Sequence, residues 1–174
     1  MMNSSSESKI YSMPFFTNPK LSIGFTGSSE HIPLKQADAL YKLLAYLKIA
    51  ENATELHHGD CVGADLLAHE IATELGYRTV VHPPNNPKKR AFCKSDETRF
   101  EYDYLARNHF IINDTQRLVA TPLSEIEQLH RGPGAGEWST IRYARKLQRP
   151  VYIIMLDGRV ETERMAPMPT GGSK

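Results

Sequence analysis

Six consecutive apolar residues, Val151–Leu156 (VYIIML), stand between Pro150 and the turn-forming Asp157 and Gly158. The run is far shorter than the ~20 residues a membrane helix needs, yet it has no polar side. Such a strand belongs inside a sheet covered on both faces, the mark of parallel sheets flanked by helices. The rest of the chain alternates in the same way. Strands are predicted at 21–26, 55–58, 78–82 and 118–121, with Leu21, Ile23 and Phe25 on one face of the first. Helices are predicted at 33–50, with Leu34, Ala37, Tyr41, Leu44 and Leu47 as the buried stripe, and at 62–75, with Ala64, Leu67, Ala68, Ile71 and Leu75 turned inward. Two more are predicted at 104–112 and 138–147. Pro33 suits a first helical turn, and Gly76 a helix C-terminus. About five strands separated by helices make an α/β fold, a doubly wound, mostly parallel sheet with helices on both faces.

Length and charge bound what such a domain does. The chain has 174 residues and 21 − 20 = +1 net charge, which fits one domain and argues against a generic nucleic-acid coat. Residues 1–19 and 159–174 are rich in Ser, Pro and Gly and are expected to be flexible, leaving 20–158 as the domain. Two cysteines, Cys61 and Cys93, cannot form a disulfide framework. With no signal-peptide or membrane pattern, a cytoplasmic protein without membrane contact is expected.

In a doubly wound sheet, ligands gather at the carboxyl ends of the strands. Seven of the eleven glycines (24, 27, 59, 63, 132, 134 and 136) fall in three predicted strand-end turns. The first, Gly24–Ser29, offers Gly24, Thr26, Gly27 and Ser28, without the spacing of a dinucleotide or Walker A loop. The second, His58–Asp65, opens a helix on small residues, so Gly59, Asp60, Gly63 and Ala64 can present amides to an anion. Asp60 reads equally as a helix cap, and Asp65 suits a ribose hydroxyl. The third, Arg131–Thr140, places Gly134, Ala135 and Gly136 before a helix as a candidate anion nest, where a merely flexible loop is the plainer reading. Thr121 ends the fourth strand beside it. Together the turns favour a phosphate-bearing small molecule over a peptide.

The segments GFTGS, HGDCVGADLLAHEIA, VVHPP, YLARNHFII and GEWSTIRYARK resemble, in this order, the SLOG superfamily. That Rossmann-like group includes the cytokinin-activating phosphoribohydrolases ("lysine decarboxylase-like" proteins) and DNA-processing relatives. The resemblance spans about residues 21–158 and implies a nucleotide or nucleotide-derived ligand over the strand ends. It also implies a homodimer. It carries over Gly27, Ser28, Gly59, Asp60, Gly63, Asp65 and Gly134–Thr140, including Glu137, Trp138 and Thr140, as ligand-facing. Arg107 and Asn108 resemble the functional arginine pair of the phosphoribohydrolases. Where those enzymes carry PGGxGTxxE, this chain puts Glu137 at the threonine position and Thr140 at that of the catalytic glutamate. The departure favours binding over hydrolysis. N-glycosidic cleavage of a nucleoside monophosphate, with Arg107 and Glu137 as catalytic residues, and DNA-processing-type nucleic-acid binding are the alternatives.

Other features have plainer readings. His57, His58, Cys61 and His69 hint at zinc, but neighbouring strand residues point to opposite faces and no structural-zinc spacing follows, so neither metal nor other cofactor is expected. Cys61 sits where a helix N-terminus can lower a thiol pKa, though small-residue packing accounts for it. Lys88, Lys89, Arg90 and Lys94 make a basic run on the long connection 83–103, a solvated surface, a rim for an anion or a mobile lid. Trp138 suits either base stacking or anchoring its helix.

Overall fold

The computed structural model describes residues 20–127, 132 and 134–164, so the expectations for 1–19, 165–174, Arg131 and Pro133 fall outside it. The strands are β1 (Leu21–Gly27), β2 (Ala53–His58), β3 (Arg78–Val81), β4 (Glu97–Thr98), β5 (Arg117–Thr121), β6 (Val151–Ile154) and β7 (Val160–Glu163). The helices are α1 (Leu34–Ala50), α2 (Ala64–Glu74), α3 (Tyr104–Asn113) and α4 (Ala135–Lys146). They form one sheet in the order β4-β3-β2-β1-β5-β6-β7, parallel except for the β6–β7 pair. The α/β architecture is as read from the sequence, but the sheet has seven strands rather than about five.

Both additional strands lack an apolar signature. β4 is a two-residue edge strand within the polar connection. β7 (VETE) has one apolar residue in four and folds back on β6 within the stretch assigned to the flexible tail. Another difference concerns α1, whose buried residues are Gln36, Leu40, Leu43, Leu44 and Leu47, while Leu34 is 82% exposed and Tyr41 is 38% exposed. A buried glutamine displaced the expected stripe. Its Nε2 donates to the Ile154 carbonyl at 2.8 Å and the Pro122 carbonyl at 3.3 Å, tying α1 to the ends of β6 and β5.

Two apolar clusters hold the layers. Leu21, Ile23 and Phe25 of β1 pack with Leu40, Leu44, Ala68 and Ile71 of α1 and α2. Leu118, Ala120 and Ile153 pack with Ile112, Trp138, Ile141 and Ala144 of α3 and α4. Close approach sets the spacing of β1 and α3, since a Cβ on Gly24 would stand 2.8 Å from Thr115 Oγ1 and 2.9 Å from Ile111 Cγ2. Gly24 is thus a packing residue rather than a ligand-facing one.

The chain builds outward from β1 to β2, β3 and β4, then returns to place β5 on the other side of β1. Strand order therefore reverses between β1 and β5, and a crevice opens at their carboxyl ends, beside Gly27 and Thr121.

Candidate functional site

A cavity of about 410 Å³ occupies that crevice, lined by Thr26, Gly27, Ser29, Cys61, Asp65, Asn86, Lys88, Lys89, Tyr104, Arg107, Asn108, Gly136 and Glu137. All three glycine turns contribute, and so does α3. Arg107, on α3, is only 5% exposed. Its Nη1 lies 3.7 Å from Asp65 Oδ2 and its Nη2 donates to Cys61 Sγ at 3.4 Å. Its Nε has no hydrogen-bond partner among the described residues. Among the described residues this buried guanidinium is thus held by one carboxylate, a weak thiol acceptor and the face of Tyr104 at 5.6 Å, and it lines the cavity.

Asp65 lies in the first turn of α2, where a carboxylate suits the helix dipole. It accepts the Cys61 amide at 3.2 Å. Burial raises its carboxyl to about 6, opposed by the Arg107 charge and by the Cys61 and Gly59 amides. Burial also decides the Cys61 thiol, pushed up to about 11, so its position before α2 does not make it a thiolate. On the far side, α4 begins at Ala135 rather than Trp138, so Gly136 and Glu137 sit in its first turn. Burial, and then the charge of Glu30, raise the Glu137 carboxyl above its ordinary range, against the pull of Lys89.

The long connection forms the cavity rim. Asn86 caps a 3-10 turn at Pro87–Lys89, which brings Lys88 and Lys89 over the opening. Asp60 holds this segment rather than capping α2, as its buried carboxylate accepts Arg90 Nε and the Cys93 amide, each at 2.8 Å. Arg90 is also paired with Glu101, at 2.7 Å, so the basic run offers fewer free cations than its sequence suggests. The segment is tied further where Lys89 accepts the Val62 amide, an anchored rim.

Of the residues singled out from the sequence, Thr26, Gly27, Asp65, Arg107, Asn108, Gly136 and Glu137 meet around the cavity. Others support it from behind. Ser28 accepts the Glu30 amide on Oγ and the Ala64 amide on its carbonyl. Gly63, at φ +83, turns the chain into α2, and Gly134, at φ +79, into α4, whose first residue is Ala135. Gly59 lies under Arg107. Thr121 is fully buried at the crevice base, its Oγ1 without a partner among the described residues. Trp138 is buried, with Nε1 donating to the Ser124 carbonyl at 3.0 Å, and so anchors α4. Thr140, at the position of the phosphoribohydrolase glutamate, is buried too, accepting from Asn108 Nδ2 at 2.8 Å and donating to the Gly136 carbonyl at 3.0 Å. Ser29 lies in the first glycine turn but was not singled out, and Asn86 and Tyr104 carry no local signal; only the folding of the 83–103 segment brings Asn86 to the site.

No family profile and no curated protein matches the chain. Solved structures do. The molybdenum cofactor binding protein of the phototrophic bacterium Rippkaea orientalis is similar with a TM-score of 0.59 and 23% identity, over 78% of this chain and 77% of that one. The molybdenum cofactor carrier protein of Chlamydomonas reinhardtii is similar at 0.53 and 21%, over 77% and 76%. DNA processing protein A of Streptococcus pneumoniae is similar at 0.53 and 17%, over 77% of this chain and half (50%) of that longer one. The likeness is one of fold: the chain shares the α/β fold of these proteins. No helix of the described residues is long and apolar enough to cross a membrane.

Proposed function

We propose that the chain binds, without turnover, one phosphate-bearing heterocyclic small molecule in the crevice between β1 and β5. The carrying observation is the buried guanidinium of Arg107 lining a cavity of about 410 Å³ with Lys88 and Lys89 on its rim. A pocket of a few hundred cubic ångströms suits one nucleotide-sized compound. Arg107 and the lysines would hold the phosphate, and the Asp65 carboxylate a hydroxyl or ring N–H.

Hydrolysis has weaker support. The position that would carry a catalytic carboxylate is Thr140, which is buried and fully engaged. Glu137 lines the cavity one helical turn away, and a displacement of that size forfeits the alignment that glycosidic cleavage needs. DNA binding is weakened by the pairing of Arg90 with Asp60 and Glu101.

A nucleotide is one member of the proposed ligand class. The names of two fold neighbours favour a second, the molybdenum cofactor. Thermal-shift titration with AMP, ADP-ribose, cyclic ADP-ribose and the molybdenum cofactor tests the proposal. A ligand at a hundred times its Kd stabilises by about 2.7 kcal/mol, a rise of about 5–10 °C for a chain of this length. A flat response to all four contradicts the proposal. Homodimer formation belongs to the same reading, and light scattering with and without ligand measures it.

A further inference from the structure

A second group of side chains converges on the other side of β2, away from α2. Gly24 faces α3, and the residue in register with it on β2 is His57. Paired residues of adjacent parallel strands share a face, so His57 and its β3 partner Val80 lie on that side too. His82 follows Val80 by two residues and returns to the same face. The His57 Nδ1 and His82 Nε2 atoms are 3.0 Å apart. Asp114, which ends α3, completes a set of three donor atoms lying within 4.8 Å of one another.

We propose that His57, His82 and Asp114 form a site for a divalent metal ion of the zinc class, separate from the proposed phosphate-ligand site.

Three features support it. The first is the tautomer of His57. Its Nε2 lies 3.5 Å from Glu55 Oε2, an acceptor, so the proton belongs on Nε2 and the lone pair on Nδ1, aimed at His82. A carboxylate behind a ligating imidazole is the usual way proteins orient such a ring.

The second is spacing. Ligands 2.0–2.1 Å from a tetrahedral ion stand about 3.3 Å apart, close to the observed separation of the two imidazole nitrogens. The exposed Asp114 closes the remaining gap by side-chain rotation. Its present contact with Arg99 is long, 3.7 Å, and Arg99 keeps a partner in Glu97 at 2.9 Å.

The third is access. His82 and Asp114 line a cavity of about 180 Å³ with Arg99, Phe100, Tyr102, Arg107 and Phe110, which leaves room for a water or an exogenous ligand on the ion. Two nitrogens and one carboxylate oxygen with an open position suit zinc and its borderline neighbours.

Another convergent group, His58, His69 and Cys93, has the same 3.0 Å contact between imidazole nitrogens. The Asp60 amide donates to His58 Nδ1 at 3.2 Å, which places the His58 proton on Nε2, 3.0 Å from His69 Nδ1. An ion would displace the proton between the two nitrogens in either group, but neither described cavity reaches His58, His69 or Cys93, whereas His82 and Asp114 open on one. That pair is an internal hydrogen bond.

Calorimetric titration of chelator-treated protein with zinc alone is the test. One ion per chain is expected, weakened at least about tenfold in Asp114→Asn and in His82→Gln and about 10–100-fold in Glu55→Gln, while Cys93→Ser leaves it unchanged. Asp114 and Glu55 are solvent-accessible, so their variants remain informative if His82→Gln folds poorly. Absence of zinc binding by the unsubstituted chain, unchanged affinity in Asp114→Asn and Glu55→Gln, or loss of binding in Cys93→Ser overturns the proposal. Because the readout is zinc alone, it is independent of whether the larger cavity takes a phosphate compound.

Discussion

The guanidinium of Arg107 lies so close over Gly59 that a Cβ there would stand 1.1 Å from Nη1 and 2.2 Å from Cζ. Glycine at position 59 and arginine at position 107 are therefore one structural unit: the missing side chain is the seat of the charged one. Gly59→Ala should displace the guanidinium and weaken binding of a phosphate ligand by at least about tenfold. Overpacking of this kind costs about 1–3 kcal/mol. Urea denaturation and ligand titration measure the two effects separately, and an alanine variant with unchanged affinity would remove Arg107 from the site.

Replacing Arg107 by lysine keeps the charge but not the planar fork. A buried arginine bound to phosphate through two parallel hydrogen bonds loses about 1.5–3 kcal/mol when one is forfeited, or about 10–150-fold in affinity. Calorimetry of Arg107→Lys checks this. A change below about threefold would mean that the lysines of the rim do the binding.

Glu137 places a carboxylate at the mouth of a site assigned to an anion. Glu137→Gln should raise affinity for a phosphate ligand about 2–5-fold at neutral pH, the scale of one solvent-screened charge repulsion. Chromatography should find no free base released by either form. Base release that disappears in the variant would establish glycosidic cleavage instead.

His58 is fully buried, and its pKa lies well below the ordinary 6.5, first through burial and then through the charges of His69 and Arg107. The unfolded chain binds a proton at His58 below about pH 6.5 and the folded chain does not. The stability contributed by the neutral ring is thus complete above that pH and lost as pH falls below it. His58→Gln retains an acceptor for the Asp60 amide but does not titrate. The stability advantage of the unsubstituted protein over the variant should narrow between pH 7.5 and pH 5, as read by urea midpoints. Parallel profiles would contradict a neutral buried His58.

The order of the central elements was legible because apolar runs and glycine turns are local signals. Val151–Ile154 is read correctly from six letters. β4 and β7 were not legible, since short polar edge strands owe their pairing to a neighbour rather than to their own pattern. The stripe of α1 was misplaced because Gln36 is buried through two carbonyls distant in sequence. At the site, the strand-end turns announced Gly27, Asp65 and Gly136. Asp60 looked like a helix cap, and its true partner, Arg90, lies 30 residues away. The separation of His57 from His58 followed from strand alternation. The partners His82 and His69 that each finds on its own face did not.

Native mass spectrometry of the unsubstituted protein with AMP, ADP-ribose, cyclic ADP-ribose and the molybdenum cofactor, in parallel with Gly59→Ala, tests the central claim most directly. The predicted result is saturable addition of one intact phosphate-bearing compound per chain, strongly reduced in the variant. No adduct with any of the four, or appearance of free base in place of the adduct, would contradict it.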